Sequence, residues 1–378
     1  MSKLSDDVRK LVFVLIAVLC TAVAALYTLF FTRTADLSAD NPTPAPTVES
    51  PLAAPLVSPS PIVSPSPIVL PSTNPVSHSR DEPRGQNQAK PRLVAINLRD
   101  QDALGKVEFS YLDPVVEHKT TTNLRCERIY FAADKGICLG REIQFFSAQT
   151  IATLIDANFQ PLFSVRTDGI PSRARVSPDG RRAAFTVFVT GHSYDDTQLS
   201  TGTLLLDTST GETLANLEEF KVLQDGRVIE APDFNYWGVT FQRDSNLFYA
   251  TLRTRGENYL VHGDITTRTF TILYKGVECP SLSPDETRIA FKKKLSRANW
   301  HLTVLDLTTL EETPSAETKS VDDQAEWLDN EQILYALVDP EPPFLPNIMV
   351  VPADGGGQPT IFAKGAASPA VAREWSKQ

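Results

Sequence analysis

Ser177-Pro178-Asp179-Gly180, followed by the apolar run Ala183-Ala184-Phe185, is the stretch whose recurrence decides the fold. It returns as Gln242-Arg243-Asp244-Ser245 before Leu247-Phe248-Tyr249 and as Ser283-Pro284-Asp285-Glu286 before Ile289-Ala290-Phe291. A further copy is Leu328-Asp329-Asn330-Glu331 before Ile333-Leu334-Tyr335. The spacing is roughly 40 to 65 residues. Each time, a tight polar turn leads into a short apolar strand. One such unit cannot bury its own apolar face, so the units must stack side by side. A period of this size built from short strands is that of propeller blades rather than helical repeats.

A second element recurs inside each unit. Leu204-Leu205-Leu206-Asp207 runs into Thr208–Glu212, Val261–Asp264 into Ile265–Arg268, Val304–Asp306 into Leu307–Glu311, and Val350–Asp354 into Gly355-Gly356-Gly357. A strand ends on Asp, a Thr- or Gly-rich turn follows, and another strand leaves. Asp suits the position because its carboxylate accepts hydrogen bonds from backbone N–H groups in the turn. Recurrence once per unit assigns these residues to hairpin caps rather than metal ligands.

A degenerate earlier copy places Arg128-Ile129-Tyr130-Phe131 where Arg182–Phe185 sits, with Leu154–Asn158 as its strand-Asp turn. Five units are thus readable, beginning near residues 123, 177, 241, 283 and 327. The segments left over, with strand-like runs Leu93–Leu98, Val107–Leu112, Val115–Glu117 and Ser368–Arg373, supply a sixth blade from both chain ends. Such closure removes exposed sheet edges. The expected architecture is all-β, a six-bladed propeller over residues 92–378, with five or seven blades as the competing counts.

Residues 1–91 are a different kind of chain. Leu11–Phe31 is an uncharged apolar run, long enough as a helix to span the roughly 30 Å hydrocarbon core of a bilayer. Lys3, Arg9 and Lys10 precede it and only Arg33 follows closely, so the positive-inside bias puts residues 1–10 in the cytoplasm and the rest outside. This reads as a transmembrane signal-anchor helix over 11–31. A cleaved signal peptide competes, but Arg33 interrupts the only small-residue stretch after the run. A lipoprotein signal at Cys20 would need a small residue where Leu19 stands. Residues 32–91 form a Pro/Ser-rich linker, with the near-repeat Ser58–Val63 and Ser64–Val69. Closely spaced Pro favours an extended polyproline form, with a reach on the order of 100 Å.

The formal charge of −10 falls wholly on the propeller, because residues 1–91 hold seven Lys/Arg and seven Asp/Glu. An acidic domain disfavours nucleic acid and anionic lipid as partners, so no nucleic-acid partner is expected. Cys126 and Cys138 bracket a segment that folds as a hairpin, and a disulfide between them suits an oxidising exterior. Cys279 is left free, beside Pro280.

The Ser-Pro-Asp-Gly turn and the strand-Asp-Thr-Thr element resemble the repeats of TolB-type, WD40-like propeller proteins from about residue 120 to 370. The resemblance implies a six-bladed, extracytoplasmic propeller that binds other proteins of the bacterial cell envelope. TolB carries a folded α/β domain ahead of its propeller. Here an apolar run and a Pro-rich linker stand instead, as in membrane-anchored TolB-like proteins of high-GC bacteria.

No Gly-x-Ser-x-Gly elbow, His-Glu-x-x-His, phosphate loop or EF-hand-like loop is present. The expectation is therefore an interaction module for an envelope protein or wall polymer, with no catalytic residue, cofactor or metal. An enzyme acting at the channel mouth (a lyase or hydrolase), or a propeller sensing a small ligand or cation, is the alternative. The second unit is longer than its neighbours, in Thr190–Gly202 and Phe220–Trp237. Loops that grow on a repeat scaffold carry binding, which singles out His192, Tyr194, Asp195, Asp196, Asp233, Tyr236 and Trp237 as interface residues. Trp237 and Tyr236 read equally as core at a blade boundary. Asp322 and Asp323, near Glu326 and Asp329, are a second candidate, as a cation site or as a solvated acidic edge.

Overall fold

The computed structural model describes residues 91–112, 119–144, 147–196 and 198–373. The apolar run 11–31 and the linker lie outside them. Among the described residues, no helix is long and apolar enough to cross a membrane.

The described chain is a ring of six sheets, with the four strands of each blade antiparallel. Three strands open it: β1 (Arg92–Asn97), β2 (Lys106–Tyr111) and β3 (Thr120–Arg125). Blade 1 is β4 to β7: Arg128–Ala132, Lys135–Gln144, Ser147–Ile155 and Pro161–Asp168. Blade 2 is β8 to β11: Ile170–Val176, Arg182–Thr190, Ser200–Asp207 and Thr213–Asn216. Two extra strands follow, β12 (Lys221–Gln224) and β13 (Arg227–Ile229). Blade 3 is β14 to β17: Asn235–Phe241, Leu247–Thr254, Glu257–Asp264 and Thr269–Lys275. Blade 4 is β18 to β21: Glu278–Leu282, Arg288–Ser296, Asn299–Asp306 and Glu312–Pro314. Blade 5 is β22 to β25: Glu326–Trp327, Gln332–Val338, Pro346–Pro352 and Thr360–Ala363. The last strand, β26 (Ala366–Ala372), pairs with β1 and completes the sheet β26-β1-β2-β3 as blade 6.

The ring is thus closed by both ends of the propeller chain, as its sequence predicts. The fourth, outer strand of the closing blade is Thr120–Arg125, whereas the expected run Val115–Glu117 lies outside the described residues. The phase of the repeat differs from the expected one. The Ser-Pro-Asp-Gly turn closes the first hairpin of a blade, so blades 2 to 5 start one strand earlier than expected, at Ile170, Asn235, Glu278 and Glu326. Blade 1 starts at Arg128 instead of near 123, because Arg128–Ala132 is its first strand, the counterpart of Ile170–Val176 and not of Arg182–Phe185. The reason is chemical. The Ser177 hydroxyl donates to Asp179 (2.6 Å) and accepts from the Arg182 N–H (2.9 Å), which ties the two sides of one turn together. Ser283 and Asp285 repeat this with Arg288.

The strand-ending aspartates are caps. Oδ1 of Asp207, Asp264 and Asp306 accepts backbone N–H groups two and three residues on, at 2.7–3.4 Å. Asp156 and Asp354 cap their turns in the same way. Four residues after the cap the chain turns left-handed, at Gly211 (φ 76°), Arg268 (φ 51°) and Leu310 (φ 60°). Blade 2 meets that demand with glycine and blades 3 and 4 do not.

Blade faces are packed with apolar side chains. Phe220, Tyr236, Phe248 and Phe270 form an aromatic group in blade 3, with Tyr236 and Phe270 stacked at 5.0 Å. The extra strands belong to this packing: β12 runs parallel to β17, and Val222 is buried there. Cys126 and Cys138 are disulfide-bonded with Cα atoms 5.5 Å apart. Cys126 follows the outer strand of the closing blade, and Cys138 lies on the second strand of blade 1, opposite Ile129. The bond therefore staples blade 6 to blade 1, across the ring closure. Cys279 is free and buried.

Leu310 is 44% exposed and holds the conformation that Gly211 holds in blade 2. Leu310→Gly is expected to raise the unfolding free energy by about 0.5–1 kcal/mol, the left-handed cost net of glycine's added entropy. Urea unfolding of both proteins reads this; a loss of stability would refute the strain.

Candidate functional site

The six inner strands run in the same sense, so the ring has two unlike faces. The Ser-Pro-Asp-Gly turns lie on one, here the turn face. The hairpins between second and third strands lie on the other, the hairpin face. Between them the axis is filled.

Its centre is an ion pair. Arg175 sits on β8 in blade 2 and Glu326 on β22 in blade 5, three blades away, and their side chains meet at 2.8 Å with 5% and 3% exposure. The second Arg175 Nη donates to Ser281 Oγ of blade 4 (2.9 Å) and to the Ala325 carbonyl (2.6 Å). The guanidinium lies 4.4 Å over the Tyr130 ring of blade 1. The Tyr130 hydroxyl donates to Glu326 Oε2 at 3.0 Å. Burial and the Glu326 charge push this phenol well above the ordinary tyrosine range. Glu326 Oε1 accepts the Val371 N–H of blade 6 (3.2 Å), with Arg373 Nη1 at 3.7 Å. Gln324 Nε2 donates to the carbonyls of Val239 (3.1 Å) and Pro280 (2.9 Å), which brings in blade 3. Every blade contributes to this knot.

On the turn face the knot floors a cavity of about 390 Å³. Tyr130, Arg175, Ser281 and Glu326 lie at the bottom, Phe241 and Trp327 on the walls, and Arg243 and Glu286 at the rim. Arg243 and Glu286 are joined, since the Arg243 N–H donates to Glu286 Oε1 (2.5 Å). The mouth combines apolar walls with a few charged groups.

The hairpin face is sealed differently. The loop after β9 folds inward and buries Tyr194, which stacks on Trp237 at 5.0 Å and shares a 2.5 Å hydrogen bond with Ser172. Arg173 and Lys292 lie 5.0 and 4.8 Å over the Tyr194 ring. Both cations face Asp322: Lys292 Nζ is hydrogen-bonded to it and Arg173 Nη2 lies at 3.6 Å. Burial works to raise the Asp322 pKa, but Lys292 and Arg173 outweigh it and hold the carboxyl below its usual range. Glu278 accepts from Trp300 Nε1 (3.1 Å) and Asn258 (2.6 Å). Burial pushes its carboxyl up despite Lys292. Outside this cluster Asp195 pins the loop to the β19–β20 hairpin through Lys294 (2.5 Å) and Arg297 (3.4 Å).

These contacts correct several sequence expectations. Tyr194, Tyr236 and Trp237 are not interface anchors: they are 2%, 0% and 0% exposed, because the loop after β9 folds Tyr194 inward and Tyr236 and Trp237 lie on β14, the inner strand of blade 3, where they are core as their alternative reading has it. Asp196 accepts the N–H groups of His192 and Ser193, so it shapes its own turn. His192 is exposed. Asp233 caps the β15–β16 hairpin through Thr254 (2.7 Å) and Arg255 (2.5 Å). The proposed cation site dissolves: Asp322 is paired, Asp323 accepts the Ala336 N–H (3.0 Å), and Asp329 caps its own turn. Among the described residues, no group of three or more His, Cys, Asp or Glu could hold a metal ion. Two clusters of charged side chains flank the axis. Sequence reading missed Arg173, Arg175, Lys292 and Tyr130. A signal existed: Arg173 and Arg175 alternate in an otherwise uncharged inner strand, and Glu326 holds the Arg175 position in blade 5, one residue before the turn-side apolar residue.

No family profile matches the chain, and no curated protein matches it by sequence. Solved structures do match it by shape. TolB from Acinetobacter baumannii aligns with a TM-score of 0.51 and 18% identity over 74% of this chain. The present chain spans 66% of that TolB chain. A protein from Agrobacterium tumefaciens provisionally assigned to TolB aligns at 0.41 and 12% identity, over 74% of this chain and 92% of its own. A puromycin-hydrolysing peptidase from Mycobacterium tuberculosis aligns at 0.40 and 12%, over 72% of this chain and 45% of its own. The propeller thus has the six-bladed TolB-like fold, and at these identities the likeness is one of fold.

Two measurements check the axis. Arg175→Met or Glu326→Leu alone is expected to cost about 3–5 kcal/mol, because each strands a buried charge, whereas the double variant recovers much of that loss. Additive losses in urea unfolding would deny the coupling. Asp322 has a depressed folded-state pKa, so its stabilisation is full above the unfolded value of about 3.9 and is lost as pH falls through the lower folded one. Asp322→Asn should therefore unfold more easily than the parent at pH 7. The gap should close as the pH drops to about 2–3.

Proposed function

We propose that this chain is a membrane-anchored, extracytoplasmic propeller that acts as an interaction module of the cell envelope, with the turn-face cavity as its binding mouth. The cavity carries the reading. It is a closed dish rather than a pore, its walls include Phe241 and Trp327, and charged Arg243 and Glu286 stand at its edge. Apolar walls with a few placed charges suit capture of a protein segment or a short polymer end. The fold shared with TolB supports an envelope role. The apolar run 11–31, with basic residues before it, supports anchoring with the propeller outside. The Cys126–Cys138 disulfide is consistent with an oxidising compartment.

An enzymatic reading is not favoured by any arrangement on the axis. Arg175, Glu326, Lys292 and Asp322 are committed to one another or to backbone groups, and a catalytic group needs a free approach to substrate.

The test is in-cell photocrosslinking of tagged full-length protein, with the crosslinking residue at Arg243 or Glu286 and a control at Ile361 on an outer strand. A small reproducible set of envelope proteins, captured from the mouth positions and not from the control, is the expected result. Equal capture from all three positions, or recovery of the protein from the cytosol, would overturn the reading.

A further inference from the structure

The most exposed apolar side chains are not scattered. Ile143 (74% exposed), Phe344 (59%), Leu295 (58%) and Val338 (58%) head the described residues, and all four sit at second-to-third-strand hairpins. Val228 (55%) stands apart on β13, and Val189 (54%) and Leu104 (49%) occupy the corresponding hairpin places in blades 2 and 6. Because every inner strand runs the same way, all these hairpins emerge on one face. Five of the six blades therefore present at least one large apolar side chain on the hairpin-face rim. Blade 3 is the gap, with Arg253-Thr254-Arg255-Gly256 at its tip.

None of these side chains is needed by the core, and exposed apolar groups concentrated on one face mark a contact surface. Their layout selects the partner. They stand on separate hairpins around a ring, and the axis inside the ring is sealed by Tyr194 and its neighbours. A flat, deformable apolar phase can touch all of them at once. The charges between them are of both signs, with Arg141 beside Glu142, and Lys294 and Arg297 holding Asp195. There is no single-sign field to draw a polyelectrolyte or a strongly anionic surface. The blade 5 tip is Asp339-Pro340-Glu341-Pro342-Pro343-Phe344-Leu345. Three prolines remove three N–H donors from a loop that has no ladder to satisfy them, which lowers the cost of leaving water.

We propose that the hairpin-face rim is a lipid-docking surface, on which Leu104, Ile143, Val189, Leu295, Val338 and Phe344 dip into the interfacial layer of a bilayer. Insertion is shallow, because hairpin backbone cannot enter hydrocarbon unpaired, and interfacial side chains reach about 5–10 Å. Docking is driven by apolar contact rather than charge. It leaves the turn-face cavity directed away from the lipid.

The test uses the full chain reconstituted in phosphatidylcholine vesicles that carry nitroxide on their acyl chains. An environment-sensitive dye is placed at Leu295→Cys, or at Arg181→Cys on the turn face, in a Cys20→Ser background where Cys279 stays buried. The expected result is at least about twofold stronger quenching at 295 than at 181, unchanged at high salt. Adding Val338→Asp and Phe344→Asp should return the dye at 295 to the level at 181, with an unchanged melting temperature. Ile361→Asp, on an outer strand, should leave the quenching as it was. Equal quenching at 295 and 181 overturns the proposal and points to a protein as the occupant of the rim. Quenching that disappears at high salt also overturns it, since that behaviour belongs to electrostatic adsorption.

Discussion

The pair of Arg175 and Glu326 is the constraint around which this molecule is built. Two charges buried on a propeller axis are costly to desolvate, and their attraction repays that cost only when the remaining hydrogen-bonding capacity is met. Here it largely is: Ser281, the Ala325 carbonyl, Tyr130 and the Val371 N–H complete the set. The donors and acceptors come from blades 1, 2, 4, 5 and 6, and Gln324 adds blade 3. The network is satisfied only when all blades stand at the right rotation. It therefore ties blade number and register to the chemistry of one carboxylate.

Closure of the ring answers a second constraint. A propeller whose first and last sheets did not join would expose an edge and an apolar blade face together. β26 reaches β1 to complete blade 6, and the Cys126–Cys138 bond clamps that blade to blade 1. The same strand delivers Val371 to Glu326, so closure at the circumference and closure at the axis are one event. With these side chains filling the axis, the candidate binding surfaces lie on the faces. The turn face holds a cavity and the hairpin face a rim, with the Arg175–Glu326 and Asp322–Lys292 groups between them.

The loops of blade 2 show where sequence reading stops. Their length and their Tyr and Trp content mark them as special, yet the side chains that look like binding anchors are the ones that plug the axis and fill blade 3. An aromatic residue in a long loop is equally able to face a partner or to fold inward. The choice depends on whether the ring leaves a hole of its size beneath the loop. Arg173 and Lys292 beneath Tyr194 decide it, because their guanidinium and ammonium groups meet its ring face. Neither residue is near Tyr194 in sequence. The acidic run Asp322-Asp323 misleads for the same reason: one carboxylate is answered by cations from blades 2 and 4 and the other by a backbone amide.

What the sequence determined by itself is everything carried by short-range chemistry. The Ser-Pro-Asp-Gly turns, the Asp-capped hairpins and the repeating short strands follow from hydrogen bonds and apolar periodicity within a few residues. Because these recur once per unit, they imply stacked blades and leave the two chain ends to close the ring. Tertiary structure alone decided the rest. It set the phase of each blade relative to its turn, the diametric pairing of Arg175 with Glu326, the burial of Tyr194 and Trp237, and the gathering of six apolar side chains on one rim. Those features join residues from about 20 to 240 positions apart, and a charge or an aromatic ring acquires its role only from the groups the fold sets against it.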